Sequence, residues 1–189
     1  MSRWAFFQVV VLVASGVPAS GNDAPVTWET TCAPRGCLLQ ADVLRGDSGD
    51  PPDGSDFHEH IGIDVALDKI TRKPAYFAFH VDPNAQLDQG VVVAFAKSAN
   101  AGKVNTDSDG NTKLDLGDCD DKSCAARVPL GVVKKGGRSL NLLDKFLKSE
   151  LLELVYTRGG KQYRTSVPLS SFQKEYQRVL TSEFGVPVK

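Results

Sequence analysis

The chain has 189 residues, 41% of them hydrophobic, with 22 basic and 23 acidic side chains and a formal net charge of -1. Length and composition fit one globular domain with a core of useful size rather than two domains or a disordered tail. The charge balance removes the electrostatic argument for a nucleic-acid binder, and it lends no support to binding at an anionic membrane.

Residues 1–21 read as a secretory signal peptide. Arg3 supplies a short positive start, Trp4 to Ala14 an apolar stretch, and Ser15-Gly16-Val17-Pro18-Ala19 a close of small residues and a breaker. Val17 and Ala19 are placed for a cut before Ser20, and a cut after Gly21 fits nearly as well. The apolar run is shorter than the roughly 20 residues a spanning helix needs, so an uncleaved anchor is the weaker reading. Residues 22–189 are then a single domain, periplasmic or secreted, with no membrane span once the signal is removed.

Along that domain, Trp28 to Thr31 and Leu38 to Leu44 predict a hairpin, and Arg45 to Asp56 a flexible loop. Ile61, Ile63, Val65 and Leu67 alternate with His60, Gly62, Asp64 and Ala66, the period of a strand with one buried side. Ala75, Phe77, Phe79 and Val81 repeat the pattern opposite Tyr76, Ala78, His80 and Asp82. Val91 to Ala96 is a β-branched run, Leu114-Asp115-Leu116 leads into the second cysteine turn, and Ala125 to Leu130 leaves it. Leu140, Leu143, Phe146 and Leu147 recur at helical spacing, with Ser139 or Asn141 as the cap. Leu151 to Thr157 and Gln162 to Pro168 flank Gly159-Gly160 as a hairpin. Phe172, Tyr176, Val179 and Leu180 form a second helical stripe, with Ser170 and Gln173 spaced for a capping box. The expected fold is all-β and mainly antiparallel, a sandwich or barrel of about seven to nine strands with two short helices, one at the C-terminus.

Cys32, Cys37, Cys119 and Cys124 form two C-x4-C pairs. In an exported chain an even cysteine count reads as a disulfide framework, whereas zinc ribbons use tighter knuckles and redox pairs use C-x-x-C. Three connectivities are possible. Ala33-Pro34-Arg35-Gly36 and Asp120-Asp121-Lys122-Ser123 are turn-rich, which favours the local bridges Cys32–Cys37 and Cys119–Cys124, because short loops close at low entropic cost.

The three histidines, His58, His60 and His80, carry the first chemical possibility. A hairpin centred on Ile70 would set His60 opposite His80 and His58 opposite Asp82 on one sheet face. Such a cluster could hold Cu or Zn; the simpler alternative is a set of solvated polar side chains. The register decides between them, since a slip of one residue destroys the cluster. Asn105 to Asn111 imitates the first half of an EF-hand loop, but Leu116 stands where a bidentate Glu is required, so a hairpin tip is the plainer reading. Gly-x-Ser-x-Gly, phosphate-loop and dinucleotide patterns are missing, and paired cysteines leave no spare thiol. No catalytic residue and no cofactor are expected.

Trp28-x3-Cys32, Cys37-x2-Gln40, Phe79-His80-Val81-Asp82-Pro83 with Gly90 to Val93, and Cys119-x3-Ser123-Cys124-Ala125-Ala126 together carry a resemblance. In this frame, from about Trp28 to Leu180, the chain resembles the bacterial invasion-associated locus B family. The resemblance implies an exported, disulfide-bonded β protein of the cell envelope that meets a protein partner there or on a host, and it brings no catalytic residue. The first cysteine loop is very short, and Ser171-Phe172-Gln173-Lys174-Glu175 replaces the family's closing Gly-Phe-x-x-Ala step.

Overall fold

In the computed structural model, which describes residues 26–44, 60–97, 111–135 and 138–186, the alternating segments form strands with one row of side chains buried. The strands are β1 (Trp28–Ala33), β2 (Gly36–Leu44), β3 (His60–Asp68), β4 (Pro74–Val81), β5 (Val91–Ala96) and β6 (Thr112–Leu114). They continue as β7 (Asp118–Cys119), β8 (Cys124–Pro129), β9 (Val132–Lys135), β10 (Arg138–Asn141), β11 (Leu151–Arg158) and β12 (Lys161–Pro168). The helices are α1 (Leu142–Lys148) and α2 (Ser170–Ser182).

One sheet runs β1-β2-β3-β4-β8-β7 and a second runs β12-β11-β5-β6, with every neighbour antiparallel; β9 and β10 form a separate hairpin. The sheets stay open, so the fold is sandwich-like rather than a barrel. Their inner rows share one core. Leu39, Ile61, Ile63, Val65, Phe77 and Phe79 come from the first sheet, and Val91, Val93, Leu152, Leu154 and Tyr156 from the second.

Phe146 fills the space between the layers. Its ring lies 5.0 Å from those of Phe77 and Phe172, 5.6 Å from Phe95, and 6.4 Å from Trp28 and Phe79, centroid to centroid. Helix α1 exists to carry this plug. Asn141 caps it by accepting a hydrogen bond from the Asp144 N–H at 3.3 Å, one of the two caps expected from the sequence.

Several expectations are corrected. Leu140 belongs to β10 rather than to the helix, because it pairs with Val133 across a hairpin that period alone does not reveal. The capping box fails: Leu169 is the N-cap, without a side-chain cap bond. Gln173 instead donates its amide to the carbonyls of Phe146, Leu147 and Ser149 at 3.1–3.3 Å, satisfying the orphan acceptors at the end of α1. Ala75, expected in the buried row, is exposed, beyond an irregularity at Ala66/Leu67 where β3 shifts against β4. The proposed signal segment, the Arg45–Asp56 loop and the turn residues Asn105 to Gly110 lie outside the described residues.

Candidate functional site

Each disulfide joins two residues that are register partners across a tight hairpin. Cys32 bonds Cys37 where β1 turns into β2, and Cys119 bonds Cys124 where β7 turns into β8. The two bridges sit at opposite ends of the six-stranded sheet, because β2 begins at one end while β4 reaches Cys124 at the other. No free cysteine occurs among the described residues.

The histidine register differs from expectation. His80 pairs with Gly62, not His60. Asp68 sets this offset: its carboxylate accepts from the Thr71 N–H and its carbonyl from the Arg72 N–H, and its own N–H reaches the Lys73 carbonyl. The resulting wide turn, with the β3–β4 irregularity, moves the hairpin centre past Ile70. Asp82, expected on the same polar face, is instead buried at 2% exposure and bonded at 2.8 Å to Arg158 of β11. His58 and the His60 side chain lie outside the described residues, and among those described no group of three potential metal ligands occurs.

What the outer sheet face does assemble is a polar chain. His80 Nε2 lies 3.2 Å from Asp64 Oδ2, and His80 Nδ1 lies 3.3 Å from Ser123 Oγ. Gln40 donates its amide to the other Asp64 oxygen at 3.2 Å. The strands place these groups: Gln40 pairs with Asp64 across β2–β3, and His80 pairs with Ala125, two residues beyond Ser123. Both ring nitrogens of His80 are engaged, one by the carboxylate and the other by the hydroxyl. Burial pushes the Asp64 carboxyl upward, but hydrogen bonds from His80 and Gln40, with the charges of His80 and Arg127, outweigh it and hold it below its usual range.

Ser, His and Asp in contact invite comparison with a nucleophilic relay. Such a relay needs N–H donors aimed at a developing oxyanion. Here the Ser123 and Lys122 N–H groups both donate to Asp120 Oδ1 at 2.8 Å, and these bonds, Ser123 first, hold the Asp120 carboxyl below its usual range. The Ser123 hydroxyl sits in a residue only 9% exposed. These two donors are committed to the turn, and the polar chain ties β3 and β4 to the second disulfide loop. Asp64, Gln40 and Ser123 were missed from sequence. Asp64 did lie on the same predicted face as His80, and the correct register would have joined them.

No protein-family model matches the chain, and the curated proteins and the solved structures likewise give no match.

Proposed function

We infer that the chain is an exported, disulfide-stapled envelope protein of the invasion-associated locus B type, acting in the periplasm or outside the cell by contact with another protein, host proteins included, rather than by catalysis. The pair of hairpin-closing bridges carries this reading. Such bonds persist in oxidising compartments and are rare in a reducing cytosol. The sequence adds the leader-like residues 1–21. The non-catalytic half of the reading is supported by the committed N–H donors beside Ser123. It is supported also by a broad, polar outer sheet face, on which rigid strands present Gln40, Asp64, His80 and Arg127.

Fractionation of expressing cells, with sequencing of the amino terminus, tests the compartment. The expected product begins at Ser20 or Asn22 and leaves with the periplasmic or secreted fraction; a cytosolic product retaining Met1-Ser2 would contradict it. In-cell crosslinking from Arg127 and Gln40 tests the contact. One discrete adduct abolished by charge reversal at Arg127 is expected, and only random adducts would count against a specific partner.

A further inference from the structure

The near-neutral total charge conceals a segregation along the strands. At one end of the six-stranded sheet, the β3–β4 turn carries Lys69, Arg72 and Lys73, all exposed, and the β1–β2 turn beside it carries exposed Arg35. The turns are held together, since the Lys69 N–H donates to the Arg35 carbonyl at 3.0 Å, and Cys32–Cys37 staples the second of them. None of these four cations makes an ion pair among the described residues. The one acid in these turns, Asp68, has its carboxylate engaged by the Thr71 N–H at 2.6 Å. At the far end of the same sheet the second disulfide turn exposes Asp118, Asp120 and Asp121 with Lys122, and Asp118 is paired with Arg127 at 3.3 Å.

Of the large aliphatic side chains exposed among the described residues, Ile70, Leu130 and the adjoining Val132 lie at or beside the basic end, and Leu87 lies in the loop that follows β4. Ile70 is 90% exposed at the tip of the β3–β4 turn, and Leu130 is 71% exposed in the β8–β9 turn. Leu130 is docked next to that hairpin, its N–H donating to the Ala75 carbonyl at 2.8 Å. Arg72 and Leu130 have positive φ, 57° and 56°, and no other non-glycine residue described shares that feature. For a side chain with a Cβ this conformation is strained, and such strain persists where the surrounding structure imposes it.

We propose that this end of the sheet, tipped by Ile70 and Leu130 and ringed by Arg35, Lys69, Arg72 and Lys73, docks on an anionic membrane surface. Charge complementarity names the partner: four cations without an ion pair among the described residues attract lipid phosphates, while the acidic far end orients the molecule tip-first. The apolar part favours a bilayer over an acidic protein. Two aliphatic side chains on separate turns would each need a matching pocket in a protein, whereas the headgroup–acyl boundary accepts them without shape matching. The docking is peripheral; among the described residues no helix is long and apolar enough to cross a membrane. It is independent of the protein-contact reading above.

Sedimentation with vesicles tests it, using the protein as the cell exports it. Binding is expected to phosphatidylglycerol-containing vesicles at low salt, weakening as salt rises, and not to phosphatidylcholine alone. Replacing Lys69, Arg72 and Lys73 together by Gln should lower partitioning on the order of 100-fold, at about fivefold per cation. Ile70→Ser, which leaves the charge unchanged, should lower it about tenfold by removing the apolar anchor. Both variants alter exposed turn residues, and an unchanged melting temperature will show that they fold. Equal partitioning by wild type and Ile70→Ser would overturn the proposal. Retention on immobilised polyglutamate without vesicle binding would also overturn it, reassigning the end to an acidic protein.

Discussion

Leu130 holds a left-handed backbone at φ 56° while exposing most of its side chain. Neither its burial nor its conformation stabilises the fold, so Leu130→Gly should raise stability. The gain is the relieved strain less the extra freedom of glycine in the unfolded chain, about 0.5–1 kcal/mol in urea unfolding. The same variant should bind anionic vesicles more weakly, as expected of a residue kept for its surface role. Its neighbour Gly131, also at positive φ, has no such latitude: a Cβ there would lie 2.7 Å from the Phe77 ring. At the opposite end of the residue scale is Phe146, enclosed by five aromatic rings. Truncation to Ala leaves a cavity that two sheets cannot both collapse into, and should cost about 3–5 kcal/mol. A loss under 1 kcal/mol, measured by the same urea titration, would show that the layers do not meet around this ring.

At the scale of elements, the polar ties between strands, within turns and along α2 rest on ionised carboxylates. Asp64, Asp68, Asp120 and Glu175 are all held below their usual range in the fold. The unfolded chain therefore takes up protons more readily than the folded one. Their contribution is complete above the ordinary carboxyl range of about 4 and is lost as pH falls through the lower folded values. The urea midpoint should drop below about pH 4. Asp64→Asn should make that drop shallower, and an unchanged acid profile would show that Asp64 does not couple to folding. How legible these elements were depended on where their determinants lie. The Ile61–Leu67 and Phe77–Val81 rows are plain from period two, and Asn141 is one of two caps, with Ser139, that the sequence offers before an apolar helix. The β9–β10 hairpin, the role of Gln173 and the pairing of His80 with Gly62 are not plain. Gln173 meets the end of α1 across 24 to 27 positions, whereas Leu140 with Val133 and Asp68 with Lys73 are short-range pairings that hydrophobic period alone does not specify. The cysteine turns were legible because the whole determinant is local. The polar chain was not, since Ser123 reaches His80 across 43 positions.

For the whole molecule, the two bridges and the charge polarity describe one object: a rigid sheet with a covalently closed turn at each end, basic and apolar-tipped at one and acidic at the other. Each bridge closes a loop of a few residues, so chain entropy assigns it only about 2 kcal/mol. Reduction should therefore loosen the end turns and lower the unfolding midpoint without dissolving the sandwich. The most direct measurement is a thiol count on the purified protein, denatured without reductant, followed by peptide mapping. The account predicts no reactive thiol and two crosslinked peptides, Cys32 with Cys37 and Cys119 with Cys124. Four reactive thiols, or a bridge between the two pairs, would contradict it.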